Sequence, residues 1–376
     1  MVEANTQGPR HAPMRPAAAV DALLLHSMRD PASVVRLSLT ALDAVLHAAR
    51  QHTVLGRLGH DLAALGVLAE LPPAARQVLA NAHIRARANA IALRFEVDRA
   101  RRALAPLGTK VVLLKGAAYQ HAGMALARGR LSVDLDILVP AGDIGRAERR
   151  LIDSGWQPGV IDRYDQHYYR DWMHEIPPLL HPERKIELDV HHTIFPPISG
   201  IRIDAATLLA EAVPLADGLF MLAPADMVLH AATHMFHENP AGRLRDLLDL
   251  HDLLTQFAAT PGFWDSLLER ARRHGLGRPL HYALRYTTRM LGTAVPDAVV
   301  QRAAAAFAPD GVRGRLMDWL MRVSLVGHIP GQQDRGFALA SSLLFVRYHW
   351  IKMPPGVLGG HFLTKTVRRM REARAR

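Results

Sequence analysis

The spacing of apolar residues divides the chain into a helical first part, a mixed middle part and a helical last part. Apolar residues recur at helical spacing over 35–49, and Asp30 followed by Pro31 is a suitable start for that helix. A second helical pattern runs over 72–106. We therefore predict a helical N-terminal region over residues 1–106, with no visible catalytic chemistry.

In the middle part, short apolar or alternating runs bounded by turn residues replace the long helical repeats. The predicted strands cover 111–114, 133–139 and 185–192, and the predicted helices cover 116–127 and 143–154. Strands and helices that alternate in one block are typical of a small domain with a mixed sheet. We predict an α+β protein whose core domain spans 107–200.

After the core domain the pattern becomes helical again. One helix is predicted from Pro224 to about His237, and leucines over 244–254 mark a second. These patterns predict a helical C-terminal domain over 201–350, followed by a basic tail over 351–376.

Composition limits the chemistry. The 376-residue chain is 49% hydrophobic, which suffices for buried cores, and it contains no cysteine. Disulfides and thiolate metal sites are therefore excluded, so oxygen and imidazole ligands must hold any metal, and a hard cation is expected. The N-terminus has no signal-peptide pattern, and no apolar run approaches the roughly 18 residues of a membrane span, which predicts a cytoplasmic protein.

The formal charge of +11 suggests a nucleic-acid partner, because basic surfaces attract phosphate. Arginine greatly outnumbers lysine, however, and alanine is abundant, as a GC-rich genome would produce. The one dense basic cluster comprises Arg368, Arg369, Arg371, Arg374 and Arg376. We interpret it as a solvated tail, so nucleic acid is the less favoured partner.

Two acidic residues interrupt the second predicted strand. Side chains alternate along a strand, so Asp134 and Asp136 share one face. The apolar residues expected on the opposite, core-facing side are Val133, Leu135, Ile137 and Val139. Adjacent carboxylates repel unless a cation lies between them or one is protonated, which indicates a metal site. A solvent-facing edge strand is the alternative explanation.

The third predicted strand carries Glu187 and Asp189 on one face. Three carboxylates from two strands can hold two divalent ions roughly 4 Å apart, which activates an attacking oxygen and stabilises a leaving pyrophosphate. The combination therefore indicates phosphoryl or nucleotidyl transfer. No nucleophile elbow, P-loop or dinucleotide fingerprint in the sequence favours another class.

These segments resemble a known family. The run LLKGAAYQ, the pattern R-x-S-x-D-x-D-I-L-V and the run ELDVHH are together similar to uncharacterised bacterial nucleotidyltransferases of the DNA polymerase β superfamily. The resemblance implies a polymerase β-like core, an NTP substrate, and Mg²⁺ or Mn²⁺. It implies that Asp134 and Asp136 are the metal-binding pair and that Asp189 is the third ligand, which can also deprotonate the acceptor.

The resemblance also implies a phosphate-binding turn at Gly116, where the absent side chain lets backbone N–H groups approach a triphosphate. The next residue departs from the superfamily, because Ala117 replaces the usual glycine or serine, and Ser132 is a candidate for the missing hydroxyl. Lys115 and Arg130 are the expected phosphate-binding cations. The alternatives are a solvated strand end for Lys115 and a structural ion pair for Arg130.

Histidines supply a second set of candidates. His191 lies on the same strand face as Asp189, where it either contacts substrate or is structural. His230, His234 and His237 recur on one helix face at a spacing that can hold a transition metal, which would indicate a metal-dependent hydrolase. We favour instead a helix that borders the cleft, with His230 or His234 at the acceptor site.

Together these features predict a nucleotidyltransferase that moves an NMP from an NTP to an unidentified acceptor, either a small molecule or a protein. Ala117 motivates one alternative, a catalytically degenerate protein that binds nucleotide or a partner. The positive charge motivates another, an enzyme that modifies nucleic acid. The acids of the last recognised helix, Asp246 and Asp249, are interpreted as ordinary exposed or capping residues.

Overall fold

The computed structural model describes residues 16–159, 163–326 and 335–359. The α-helices are α1 Pro16–Arg29, α2 Leu39–Gln51, α3 Leu55–Ala64, α4 Pro73–Leu104, α5 Lys115–His121, α6 Ile144–Asp153, α7 Arg163–His167, α8 Ala205–Ala210, α9 Pro224–Phe236, α10 Leu244–Phe257, α11 Phe263–Arg273, α12 Gly277–Tyr286, α13 Asp297–Phe307, α14 Gly311–Ser324 and α15 Arg335–Lys352. The strands are β1 Val112–Leu113, β2 Asp134–Leu138, β3 Gln157–Pro158, β4 Leu179–Leu180, β5 Glu187–His191, β6 Val213–Pro214 and β7 Phe220–Met221. The arginine cluster predicted to form a solvated tail lies outside the described residues.

The N-terminal helices begin where the sequence offers a suitable first turn. Helix α4 starts at Pro73, whose fixed φ and missing N–H suit that position, and it covers the predicted second helix. The predicted start at Asp30 is wrong for an α-helix, because a 3-10 segment, Pro31–Arg36, follows and Asp30 makes no side-chain cap. Helix α2 begins instead after Ser38, whose Oγ accepts a hydrogen bond from the Ala41 N–H at 3.3 Å.

In the described residues, seven strands form one mixed sheet in the order β3-β4-β5-β2-β1-β7-β6. The three predicted strands form its centre, since β2 pairs with β5 in parallel and with β1 antiparallel. The sheet is larger than the small sheet that the sequence predicted, because β3, β4, β6 and β7 extend both edges. These added strands have two residues each, too few for an alternating pattern to be recognised in the sequence.

The apolar face of the two central strands packs into the core. Leu135 of β2 and Leu188 of β5 are fully buried, as the alternating pattern predicts. Val133 was expected on the same face but is 69% exposed. The reason is that the strand begins only at Asp134, so Val133 still belongs to the preceding loop.

Helices follow the sheet, but the range 201–350 that was predicted to be helical also contains β6 and β7, which belong to the sheet. Helix α9 lies at the centre of these helices and packs against α10, α11 and α12. Its apolar residues Val228, Leu229 and Phe236 are fully buried, which fits a helix surrounded by other helices. Within the described ranges, no helix combines the length and the apolar character that crossing a membrane requires.

Candidate active site

Four carboxylates lie on the polar face of two adjacent parallel strands. The register of β2 and β5 places Asp136 beside Asp189 and Asp134 beside Glu187. Neighbouring strands are about 4.8 Å apart, so residues in register are closer than alternate residues along one strand. Asp134, Asp136 and Asp189 each bring an oxygen within 4.8 Å of the other two. The structure thus brings together the three acids that the sequence singled out, which we call the carboxylate trio.

Asp136 is the buried member of the trio, with 3% of its surface exposed. Its Oδ1 accepts a hydrogen bond from Lys115 Nζ at 2.8 Å and lies 3.1 Å from His191 Nε2. Burial raises the pKa of Asp136, but Lys115 and His191 outweigh burial and hold this pKa well below its ordinary value. Asp136 is therefore an anion at neutral pH.

Lys115 reaches Asp136 from an unusual backbone conformation. Its φ of +42° lies in the left-handed region that residues other than glycine rarely adopt. The residue is the first of α5 and directly follows Leu114, whose N–H donates to the Asp136 carbonyl at 3.0 Å. Burial lowers the pKa of the Lys115 ammonium, but Asp136 and Asp134 outweigh burial and raise it. Lys115 is thus a held cation and not a solvated strand end.

Asp189 lies close to other acids in a largely buried position. Its Oδ1 is buried and has no hydrogen-bond partner in the described part of the chain. Burial first, and then the charges of Asp136 and Glu175, raise the pKa of Asp189 to about 8. A divalent cation would offset this repulsion, and a ligand set made only of oxygen suits Mg²⁺ or Mn²⁺. The residues therefore fit the metal that the resemblance implies.

Close packing explains the glycine of the predicted phosphate turn. A Cβ at Gly116 would lie 2.2 Å from Ser132 Oγ and 2.4 Å from Arg130 Nη1, far inside contact distance. Arg130 Nη1 donates to Ser132 Oγ at 2.7 Å, and Ser132 is buried. The three motif residues therefore form one packed unit next to Lys115.

Asn89, which the sequence analysis missed, hydrogen-bonds to the backbone of Ser132 in this packed unit. Asn89 of α4 donates from Nδ2 to the Ser132 carbonyl at 2.7 Å, and the Ser132 N–H donates to Asn89 Oδ1 at 2.8 Å. The side-chain amide pairs with the backbone as a neighbouring strand would. No local signal distinguishes Asn89 in a long helix, because its role depends on a contact with residues far along the chain.

Arg130 forms a structural ion pair, which was one of its two interpretations. Its Nη2 lies 2.9 Å from Asp249 Oδ2 and its Nε donates to the same oxygen at 3.0 Å. The guanidinium carbon lies 5.5 Å from the centre of the Tyr119 ring. The interpretation of Asp246 and Asp249 as ordinary exposed or capping acids is wrong, since they are 7% and 6% exposed and neither is the N-cap of α10.

Helices α9 and α10 form the wall of a narrow cleft opposite the strand residues. Its lining comprises Lys115, Tyr119, Arg130, Asp134, Ala231, His234, Arg245, Asp246 and Asp249. Charges of both signs are paired along this wall. Arg245 Nη2 lies 3.2 Å from Asp246 Oδ1, and Arg243 Nη2 donates to Glu238 Oε2 at 2.9 Å. The cleft therefore combines acids and cations.

The three histidines of α9 have separate environments. His230 is 4% exposed, and burial holds its pKa well below its ordinary value. His234 lines the cleft, and its Nδ1 lies 3.3 Å from Glu238 Oε1. The ring of His237 packs on Phe195 with 5.1 Å between ring centroids. Among the residues that the structure describes, these histidines do not form a metal-binding group.

His191 connects the trio to a glutamate that the sequence analysis did not consider. While its Nε2 faces Asp136, its Nδ1 lies 3.5 Å from Glu175 Oε2. Glu175 lies opposite His191 in an isolated antiparallel bridge. One bridge is too short to produce a strand pattern, so the sequence offers no sign that Glu175 reaches the site.

A scan against protein families matches residues 39–292 to a family described as uncharacterised nucleotidyltransferase. Searches of curated proteins and of solved structures found no match. The matched range contains the described strands β1–β7, the carboxylate trio and the cleft wall on α9 and α10. Because the match covers well over half of the chain, this protein belongs to the uncharacterised nucleotidyltransferase family.

Proposed function

We propose that this protein transfers a nucleoside monophosphate from an NTP to a nucleophilic group of an acceptor and releases pyrophosphate. A bond forms between the acceptor nucleophile and the α-phosphorus, and the bond from the α-phosphorus to the bridging oxygen of the β-phosphate breaks. Membership of a nucleotidyltransferase family supports NMP transfer in general. The observation that carries the proposal is the carboxylate trio, assembled in register from two parallel strands.

Asp134, Asp136 and Asp189 would hold Mg²⁺ or Mn²⁺. When bound, such ions polarise phosphoryl oxygens and lower the pKa of a coordinated nucleophile. Two observations support this assignment, namely the close approach of the three carboxylates and the unpartnered Oδ1 of Asp189. Lys115 and His191 keep Asp136 ionised, so the trio contains at least one ligand in the form that a cation requires.

We assign Asp189 as the general base that accepts the proton of the acceptor nucleophile. In the protein without metal, burial chiefly raises the pKa of Asp189 to about 8, and a bound cation would lower this pKa, so the ionised carboxylate would be the form that accepts the proton. The proton would move from the acceptor to Asp189 and then to solvent.

We assign the triphosphate to the segment that carries Lys115 and Gly116. Lys115 contacts Asp136 of the trio, and its side chain is 17% exposed. Gly116 lies in the first turn of α5, where it packs against Ser132 beside Lys115. Arg130 would contribute mainly by holding that turn, because its guanidinium is already paired with Asp249.

The acceptor would enter between the strand residues and the helix wall, with His234 at the cleft and His230 buried behind it. The described cations of this wall are paired with acids, as Arg245 is with Asp246. A groove that tracks a nucleic-acid backbone needs positive charge that is free to neutralise phosphates. This pairing supports a small-molecule or protein acceptor over nucleic acid.

The alternative of a degenerate protein rested on Ala117. This residue is 2% exposed and belongs to the hydrophobic core. Its missing hydroxyl therefore removes no polar group from the cleft. That observation supports an active enzyme.

The proposal is tested by transfer of label from α-³²P-labelled ATP, CTP, GTP and UTP in a host lysate with Mg²⁺ or Mn²⁺. We expect a labelled acceptor with the wild-type protein and none with Asp134→Ala plus Asp136→Ala. A label that nuclease removes would identify a nucleic-acid acceptor. Absence of label with all four nucleotides, together with absence of metal-dependent NTP binding, would contradict the enzyme and support the degenerate protein.

A further inference from the structure

A second group of metal-ligating side chains lies next to the carboxylate trio. His174, Glu175 and His191 each offer one atom within 4.8 Å of the other two. Glu175 Oε2 lies 3.5 Å from His191 Nδ1 and 3.9 Å from His174 Nε2. The backbone fixes this arrangement, because Glu175 bridges His191 and the His192 N–H donates to the His174 carbonyl at 2.9 Å.

The hydrogen bonding of this group is incomplete. The His191 side chain is 1% exposed, and its buried Nδ1 has no hydrogen-bond partner in the described residues. The 3.5 Å to Glu175 Oε2 exceeds the length of an N–H···O hydrogen bond. His174 Nδ1 is also buried and unpartnered, but the nitrogen of His174 near Glu175 is Nε2, so His191 Nδ1 is the unpartnered atom that faces the group. Buried polar atoms are nearly always satisfied, and an ion or ordered water is a usual partner for those that protein groups leave unpaired.

We propose that His174, Glu175 and His191 bind one Zn²⁺ or a similar transition-metal ion, separate from the cations of the carboxylate trio. Zinc takes histidine nitrogen and carboxylate oxygen at about 2.0–2.2 Å, which puts tetrahedral ligand atoms roughly 3.3–3.6 Å apart. The 3.5 Å between Glu175 and His191 matches such an edge, and the 3.9 Å to His174 needs only a small side-chain movement.

The histidine-containing group and the carboxylate trio offer different ligand atoms, so they are expected to bind different metals. Two imidazoles and a carboxylate form the ligand set of zinc sites that keep one position open. The carboxylate trio offers oxygen alone, which suits Mg²⁺ or Mn²⁺. The Glu175 side chain is 22% exposed, so the zinc group is accessible to an entering ion.

The second site has a consequence for the trio. A metal on His191 Nδ1 leaves the ring proton on Nε2, which faces Asp136 Oδ1 at 3.1 Å. Metal-bound histidines commonly donate their other N–H to a carboxylate, which fixes the orientation of both groups. His191 would thus be a positioning residue that holds Asp136. The proposal does not rest on nucleotide transfer and can be tested without NTP or acceptor.

Cobalt reports this site directly, because tetrahedral Co²⁺ absorbs visible light strongly and occupies zinc sites. The full chain carrying Asp134→Asn plus Asp189→Asn, which weakens metal binding by the trio, is titrated with Co²⁺ and then with Zn²⁺. We expect one equivalent of tetrahedral Co²⁺ that Zn²⁺ displaces. His174→Ala and Glu175→Gln should each weaken binding by more than the roughly 100-fold that loss of an outer partner can cause.

His192→Ala is the matched control, since this neighbouring histidine contacts the Met173 carbonyl and lies outside the group. It should bind Co²⁺ as the parent does. Asp136→Asn replaces the carboxylate that faces His191 Nε2 with a neutral amide, and it should lower the affinity for Co²⁺ by about 10–100-fold.

The proposal is overturned if the parent shows no tetrahedral cobalt band, or if Glu175→Gln, which preserves size and therefore the fold, binds Co²⁺ as tightly as the parent. The outcome is independent of catalysis. Cobalt binding by a protein that transfers no label contradicts only the proposed function. Label transfer by a protein that binds no cobalt contradicts only the zinc site.

Discussion

The acids of the central strands and the histidines of α9 looked similar in the sequence, since both recur at regular spacing, but they differ in the folded protein. Strand register places Asp136 beside Asp189, and the trio brings its oxygens within 4.8 Å. The three histidines of α9 instead lie in three different environments. His230 is buried, His234 contacts a glutamate, and His237 packs on an aromatic ring.

Geometry explains the difference. Seven residues of helix advance about 10 Å along the axis, so His230 and His237 cannot share one ion although they lie on one face. Residues in register on adjacent strands are only about 4.8 Å apart at the backbone. Spacing along a helix therefore indicates a common face, whereas register between two strands creates a site.

The largest effect on the rate of NMP transfer is expected from substituting an acid of the central strands. Asp136→Asn removes the ionised ligand of the trio and should lower the rate of NMP transfer about 1,000-fold or more, because metal stabilisation of the transition state is worth several kcal/mol. The measurement is the initial rate of label transfer. Glu187→Gln is the matched control, since Glu187 lies on the same strand face outside the trio. Retention of a tenth of the activity by Asp136→Asn would contradict the account.

Gly116→Ala tests whether the packed turn supports the trio. The new Cβ would lie 2.2 Å from Ser132 Oγ, so Ser132 and Arg130 must move. We expect about 1–3 kcal/mol of destabilisation from overpacking and a fall in transfer of about 10–100-fold. Urea unfolding and label transfer measure the two effects. Gly145→Ala is the control, because its Cβ would meet only Arg149 Nη1 at 3.9 Å, and unchanged transfer in Gly116→Ala would contradict the assignment.

A smaller effect is expected from Asn89, which hydrogen-bonds to the Ser132 backbone beside Gly116. Asn89→Ala leaves the N–H and carbonyl of Ser132 without their side-chain partner, at a cost of about 1–3 kcal/mol in the free energy of unfolding. Asn89→Asp should be intermediate, because it keeps an acceptor for the Ser132 N–H. Urea unfolding measures the loss. Equal stability of wild type and Asn89→Ala would show that the amide does not hold the turn.

The smallest effect on NMP transfer is expected from substituting His237, at the end of α9. Burial, followed by Arg347 and Arg278, lowers the pKa of His237 to about 3 from an ordinary value of 6.5. The folded state therefore favours the neutral ring, so this contribution to stability is complete above pH 6.5 and is lost as pH falls towards 3. The loss is up to about 1.4 kcal/mol per pH unit.

His237→Phe should reduce that acid sensitivity and leave NMP transfer at pH 7.5 unchanged. Urea unfolding between pH 6.5 and 4 measures the slope. The same substitution at the exposed His83 controls for loss of a histidine as such. An unchanged slope in His237→Phe would mean that the ring is not held neutral.

Alternation on a strand is a local property that a short segment displays fully, so it identified Asp134 and Asp136 as a pair on one face. It placed Glu187 and Asp189 together on the other strand, and the family resemblance singled out Asp189 between them. Asn89 and Glu175 could not be identified before the fold was known, since each reaches the site through contacts with residues distant in the chain. The two-residue edge strands were missed because they carry no pattern, and the division of the chain at 106, 200 and 350 stays a prediction.

Binding of Mn²⁺, followed through the electron paramagnetic resonance signal of the free ion, tests most directly whether the strand acids hold the divalent cation. The account predicts that wild-type protein lowers the free Mn²⁺ signal and that Asp134→Asn plus Asp136→Asn restores it. His230→Gln plus His234→Gln should bind Mn²⁺ like the wild type. Undiminished binding by the carboxylate variant, or loss of binding in the histidine variant, would contradict the account.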